Sequence, residues 1–255
     1  LAAPAFAGTL TPLASFGSGG WRAPRAILVG DSAGSNKGTH YNYLGDGTSG
    51  SSANLERSFA YNPATGNLVL VSRSPAGNGI RILNGTTGVD QGPLALGSGI
   101  ISGGSIFTQN AVAVSPSGSI YVGNLTFVGS SAYKVYNWTS EAAAAPTVFF
   151  NSTNPGGTVG NFRLGDTLAI SKDGSTLAAG YHTNGSSVGV GYLTIDTNTA
   201  VATARSSFTP AVNNAFRLGI TFGATSTDVI GKQTSDTLKI TEYLTNTSAT
   251  ASLTS

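Results

Sequence analysis

The chain has 255 residues, of which only 9% are Asp, Glu, Lys or Arg, and a formal net charge of +2. An ordinary soluble domain carries roughly 25% charged residues, and 13 cations set against 11 acids leave no basic stripe for a nucleic-acid partner. Cysteine is absent, so there is no disulfide framework or thiolate metal site, and no apolar run reaches the roughly 20 residues of a membrane span.

The first residue is Leu1 and methionine is absent throughout, so the expected reading is a processed chain or a fragment. Leu1–Gly8 reads either as the tail of a secretory signal, with Ala5-Phe6-Ala7 fitting small-x-small cleavage, or as an Ala-rich extension. Strands are predicted at Thr9–Phe16 and Ala26–Val29. From there the chain repeats itself. Ala60-Tyr61-Asn62-Pro63 returns as Ala113-Val114-Ser115-Pro116 and, more loosely, as Ala169-Ile170-Ser171-Lys172. Each is followed by a turn (Thr65-Gly66-Asn67, Ser117-Gly118-Ser119, Asp173-Gly174-Ser175) and a second strand, with glycine supplying the positive φ of a hairpin. Those second strands are Leu68–Ser72, Ile120–Gly123 and Thr176–Gly180. A third strand follows: Ile80–Leu83, Tyr133–Tyr136, Tyr192–Ile195 and Leu238–Thr241. In three of these a basic residue (Arg81, Lys134, Lys239) stands between apolar neighbours, as on a half-exposed strand. Phe162-Arg163-Leu164-Gly165 recurs as Phe216-Arg217-Leu218-Gly219. Helical periodicity is confined to Glu141–Ala145, which Pro146 stops.

A repeat of about 50 residues with three or four strands predicts an all-β, propeller-like array of antiparallel blades. The units are drawn at 55–105, 106–160, 161–213 and 214–255, with 1–54 supplying N-terminal strands, a loop and ring closure. About five blades in a single domain follow, closed by strands from both chain ends. A β-sandwich or a partial propeller is the alternative.

At Leu10-Thr11-Pro12, Ala60–Arg73, Tyr133–Trp138 with Ala145-Pro146-Thr147, and Phe216–Phe222, the chain resembles an uncharacterised family of secreted bacterial β-propeller-like proteins. Many of its members carry a C-terminal PEP-type sorting signal. The resemblance implies a propeller fold and a secreted, extracellular or cell-surface location in a bacterium. It transfers no active site, and the Ser/Thr-rich Thr245–Ser255 does not match a sorting segment.

Motifs suggesting chemistry lack their context. Gly30-Asp31-Ser32-Ala33-Gly34 matches the nucleophile elbow, but loop residues follow Ser32 where a helix is needed, and only His40 and His182 are available as a base. Gly45–Gly50 matches G-x-G-x-x-G without a βαβ setting, and Gly231-Lys232-Gln233-Thr234 lacks the lead of a phosphate loop. Two histidines make no ordinary zinc site; a calcium ion at a turn containing Asp31 or Asp46 stays open. No catalytic, cofactor or metal residue is therefore assigned, and the chain reads as a non-enzyme. Asp166 and Arg57 occupy corresponding places in two repeats, and would form a polar ring if they faced a central channel. Tyr41, Tyr43, Tyr133, Tyr136, Trp138, Phe149 and Phe150 either stack sugars or pack between blades. Six sequons make Asn84, Asn124, Asn137, Asn151, Asn184 and Asn246 candidate glycan-attachment sites.

Low net charge and a Ser/Thr/Asn/Gly surface favour association. The expected function is that of a structural extracellular protein associating with copies of itself through terminal strands, as a surface-layer or filament subunit. The alternative is a monomeric propeller binding an extracellular glycan or a partner protein.

Overall fold

The structure, a computed structural model, describes residue 43 and residues 55–73, 79–157, 162–183, 191–205, 216–232, 237–245 and 247–252. No α-helix occurs among the described residues, Glu141–Ala145 included; Pro155–Gly157 form a 3-10 turn. The N-terminal strand candidates lie outside the described residues, and so does ring closure by them.

Four antiparallel meanders follow in chain order. The first is β1 (Glu56–Asn62), β2 (Asn67–Ser72), β3 (Ile80–Asn84) and β4 (Asp90–Pro93). The second is β5 (Phe107–Val114), β6 (Ile120–Val128), β7 (Tyr133–Trp138) and β8 (Thr147–Ser152). After the short strand β9 (Phe162–Leu164) comes the third: β10 (Ala169–Ile170), β11 (Thr176–Thr183), β12 (Gly191–Asp196) and β13 (Ala202–Arg205). The last is β14 (Gly219–Phe222), β15 (Asp228–Lys232), β16 (Thr237–Glu242) and β17 (Thr247–Ser252). Within each, every strand pairs with its sequence neighbour. β9 is the exception: it pairs with both β6 (Thr126↔Leu164) and β11 (Tyr181↔Leu164), stitching the second and third meanders into a nine-stranded sheet.

The leading strands β1, β5, β10 and β14 lie side by side. A meander whose first strand is innermost, repeated around an axis, is a propeller blade. The described residues thus form a partial, propeller-like arc of four blades. The hairpins expected from the sequence at Thr65-Gly66-Asn67, Ser117-Gly118-Ser119 and Asp173-Gly174-Ser175 are present. In the second of these Gly118 has φ 89°, and its N–H donates to the Ser115 carbonyl at 2.9 Å.

Period-two alternation places one side of each blade against the next. Between the first two blades Val69, Val71, Ile80 and Ile82 meet Val112, Val122, Tyr136 and Trp138. Trp138 is fully buried and its indole N–H donates to the Ala95 carbonyl at 2.7 Å. The seam between the second and third blades is as rich, with Tyr121, Tyr133, Val135 and Phe162 against Leu177, Tyr181, Leu193 and Ile195. The seam to the last blade is thinner among the described residues, its buried apolar members being Ala178, Tyr192, Phe216 and Val229, with the Tyr192 hydroxyl 2.8 Å from Oγ1 of the buried Thr241.

Candidate functional site

The inner strands begin at one end of the arc. β1 opens with Glu56 and then Arg57, whose Nε donates to Asn110 Oδ1 of β5 at 2.7 Å. Asn110 Nδ2 in turn donates to the Gly165 carbonyl at 2.7 Å. Gly165 has φ 100°, and a Cβ there would collide with the Asn124 carbonyl, so glycine alone lets the chain turn and present Asp166. Arg163 grips that carboxylate with two parallel bonds (Nε–Oδ2 2.6 Å, Nη2–Oδ1 2.7 Å), and Arg217, just before β14, stands 3.6 Å from Oδ2. Arg57 and Arg73 both lie over the Phe107 ring, at 4.8 and 5.1 Å from its centroid.

Four guanidiniums therefore gather here, and the Asp166 carboxylate contacts two of them, Arg163 and Arg217. Burial, and then repulsion from Arg73, hold Arg57 below the ordinary guanidinium range, with Asp166 opposing them. Hydrogen bonding to Asp166 pushes Arg163 up. The buried Nε of Arg73 has no hydrogen-bond partner. Guanidiniums do not exchange protons near neutral pH, and Asp166 is already engaged. The arrangement is suited to holding a negative charge rather than to moving a proton.

The chain also presents two blade faces away from its seams. On the first blade, Phe59 and Tyr61 project beside Leu68 and Leu70 and are 72% and 58% exposed. Among the described residues only Tyr43 lies over this face: its carbonyl accepts from Ser72 Oγ at 2.6 Å, and Arg81 stacks on its ring at 4.9 Å. On the last blade, register aligns Ile230, Ile240 and Ala249 across three strands, with Asp228, Glu242 and Thr247 in the adjoining row. Asp228, Ile240, Glu242, Thr247 and Ala249 line an open groove of about 330 Å³.

Of the residues singled out in the sequence, Asp166 and Arg57 do come to the same cluster. Arg73, Phe107, Asn110, Arg163 and Arg217 were not anticipated there. The recurrence of Phe-Arg-Leu-Gly was the available signal for two of them, since it places Arg163 and Arg217 equivalently. The aromatic set forms no exposed platform. Tyr43, Tyr133, Tyr136, Trp138 and Phe150 are buried, and Phe149 packs edge-on against Tyr121; Tyr41 lies outside the described residues. Arg81 pairs with Asp90 at 2.7 Å, and Lys134 Nζ donates to the Ser102 carbonyl at 3.0 Å.

Asn124 is buried, its Nδ2 donating to Ala132 O and its Oδ1 accepting from Lys134 N. Asn84 Oδ1 caps the β3–β4 turn by accepting from Thr86 N and Thr87 N. Asn137 Nδ2 donates to Ile120 O, and Asn151 is exposed. Asn184, Asn246, Ser32, His40, Asp31, Asp46 and the Gly45–Gly50 loop lie outside the described residues. His182 sits in β11 opposite Arg163. Gly231 and Lys232 end β15, while Gln233 and Thr234 are not described. No group of three or more His, Asp or Glu that could hold a metal occurs among the described residues, and no helix there is long and apolar enough to cross a membrane.

No family model and no curated protein matches the chain. Solved structures do. A DUF4623-family protein from Bacteroides eggerthii is similar over 83% of this chain and 46% of its own, at TM-score 0.60 and 17% identity. A Bacteroides thetaiotaomicron protein of unknown function (TM-score 0.47, 13% identity) covers 73% of this chain and 41% of its own. The Cps50 (Swd1) β-propeller domain of Myceliophteria thermophila (TM-score 0.47, 12% identity) covers 79% and 56%. The chain spans about half the length of the structures it matches. The first likeness supports the fold and nothing finer.

Proposed function

We propose that this is a non-enzymatic, extracellular structural module that associates with copies of itself, the last blade of one copy seating on the first blade of the next. The observation that supports this reading is the pair of blade faces against which, among the described residues, no neighbouring blade packs. In a propeller, blade faces are sealed by neighbours, and an exposed Phe and Tyr side by side on a strand are unusual for a monomer's surface. The two faces differ in a complementary way. One offers projecting aromatic rings; the other a groove of about 330 Å³ with an apolar floor at Ile240 and Ala249 and carboxylates at Asp228 and Glu242. A Tyr61 hydroxyl entering that groove finds acceptors, and Phe59 finds hydrocarbon. A contact between two unlike faces of one chain is heterologous, and repeats into an open fibre unless its rotation closes a ring. Few charges and a net charge of +2 leave little repulsion to oppose it.

Light scattering across a concentration series tests the reading. Species above 25.6 kDa should grow with concentration. The double variant Phe59→Ser, Tyr61→Ser should weaken association by at least about tenfold, as loss of aromatic anchors does. A chain that stays monomeric at every concentration sinks the proposal.

A further inference from the structure

We infer that the arginine cluster at the starts of the inner strands is a binding site for an oxyanion, a carboxylate, sulfate or phosphate group. This site is separate from the blade faces of the assembly reading and does not depend on it.

Three observations converge. The first is charge count: no ion pair to Arg57 or Arg73 occurs among the described residues, and Asp166 is shared between Arg163 and Arg217. Cations crowded this closely repel one another unless an anion joins them; Arg57, held low first by burial, is lowered further by Arg73. The second is an orphan donor. Arg73 Nε is buried and bonded to nothing, which costs the fold unless a ligand satisfies it. The third is preorganisation. Phe107 stacks against Arg57 and Arg73, and Asn110 fixes the Arg57 Nε, so that its two terminal nitrogens are left to act as a fork. Such forks match planar and tetrahedral oxyanions with paired bonds.

The rest of the molecule is polarised in the same sense, Glu56 and Asp166 being the acids at the arginine end among the described residues. Asp90, Glu141, Asp173, Asp196, Asp228 and Glu242 all lie in or beside the hairpin turns at the opposite end of the blades, where Lys172 is the one cation in a turn among the described residues. An approaching anion is drawn to the arginine end and repelled from the other.

The experiment is a thermal-melt titration of the full chain with millimolar sodium sulfate and sodium phosphate against sodium chloride at equal ionic strength. Parallel titrations use polygalacturonate and neutral dextran. Wild type is expected to melt higher with sulfate or phosphate than with chloride, and Arg57→Gln or Arg73→Gln to need about tenfold more anion, the loss of one charge-assisted contact. Arg73→Gln without anion should melt no lower than wild type, because it relieves repulsion; a purely structural arginine would melt lower. Lys172→Gln, at the far end, should titrate like wild type. Stabilisation by polygalacturonate, but not by dextran, at lower carboxylate concentration than sulfate would identify the source as an acidic glycan; stabilisation by the inorganic ions alone would identify a free anion. Equal shifts in wild type and both arginine variants, or no shift beyond chloride, overturns the inference.

Discussion

The second blade and the last share one topology and differ in what surrounds them. β5–β8 is clad on both faces: Val112, Ile120, Val122, Tyr136 and Trp138 look to the first blade, and Tyr121, Tyr133, Val135 and Phe150 to the third. Among the described residues β14–β17 is clad on one face, by a seam whose buried apolar members are Ala178, Tyr192, Phe216 and Val229. The difference is written in the strands. In β6 every residue except Phe127 is buried, so alternation disappears; in β15 burial alternates residue by residue. A strand sandwiched between two sheets needs apolar or hydrogen-bonded groups on both sides, and β6 meets that need with Asn124 and Thr126, both fully buried and bonded. The comparison teaches that cooperativity should decline along the arc, from a centre that unfolds as a unit to an end that opens by itself.

Three perturbations test that gradient. The largest effect is expected at Trp138, whose ring fills the seam between the first two blades. Trp138→Ala should destabilise the whole fold by about 3–5 kcal/mol through the cavity left behind, with the Ala95 carbonyl losing its donor as well. Denaturant melts followed by far-ultraviolet dichroism should show one transition shifted bodily. If the last blade alone melted earlier while the rest kept its midpoint, the centre would not be the cooperative unit.

A smaller, local effect is expected at the thin seam. Tyr192→Phe removes the hydroxyl that meets Thr241 Oγ1, while Thr241 keeps its bond to the Val229 carbonyl at 3.2 Å. The loss should be about 1 kcal/mol, read by hydrogen exchange as faster exchange in β14–β17 with β5–β8 unchanged. Slowed or unchanged exchange in the last blade would remove Tyr192 as its latch.

The same contrast explains what was legible in the chain. The fold class was: glycine turns at Gly66, Gly118 and Gly174 and apolar triplets such as Tyr133–Tyr136 reflect local rules of turn geometry and period-two burial. The stitching strand β9 was not, because three residues bridging two blades carry no periodicity of their own. Nor was the full arginine cluster. Arg57 and Arg73 come from the first blade, Arg163 from β9 and Arg217 from the segment before β14, and their approach depends on Gly165 and on Asn110 reaching across strands. Sequence spacing hinted at equivalence of positions but not at which side chains turn inward. The aromatic runs admitted two readings, a sugar platform or packing between blades, and Tyr133, Tyr136, Trp138 and Phe150 follow the second, forming the seams.

The smallest effect concerns acid. The β5–β6 turn is held by hydroxyls, Ser115 Oγ accepting from Ser119 N at 3.0 Å, and contains nothing that titrates. The β16–β17 turn is held by Glu242, which accepts from Thr245 Oγ1 and from the N–H groups of Thr245 and Leu244; these bonds lower its carboxyl to about 2. Asp173 in the β10–β11 turn is likewise held well below the usual carboxylate range, first by the Ser171 hydroxyl and then by Ser175. Because both pKa values are depressed in the folded chain, the stability they contribute is fully present above the unfolded value near 4 and drains away as pH falls towards the folded one. Both groups lie at the solvent-exposed turn ends, so screening keeps the effect modest. Between pH 5 and pH 2, amide exchange corrected for intrinsic rates should therefore quicken in β16–β17 and β10–β11 while the β5–β6 hairpin holds. Glu242→Gln should abolish the pH dependence in β16–β17 alone. Equal loosening of the serine turn over the same range would show that acid acts through net charge on the whole arc rather than through these carboxylates.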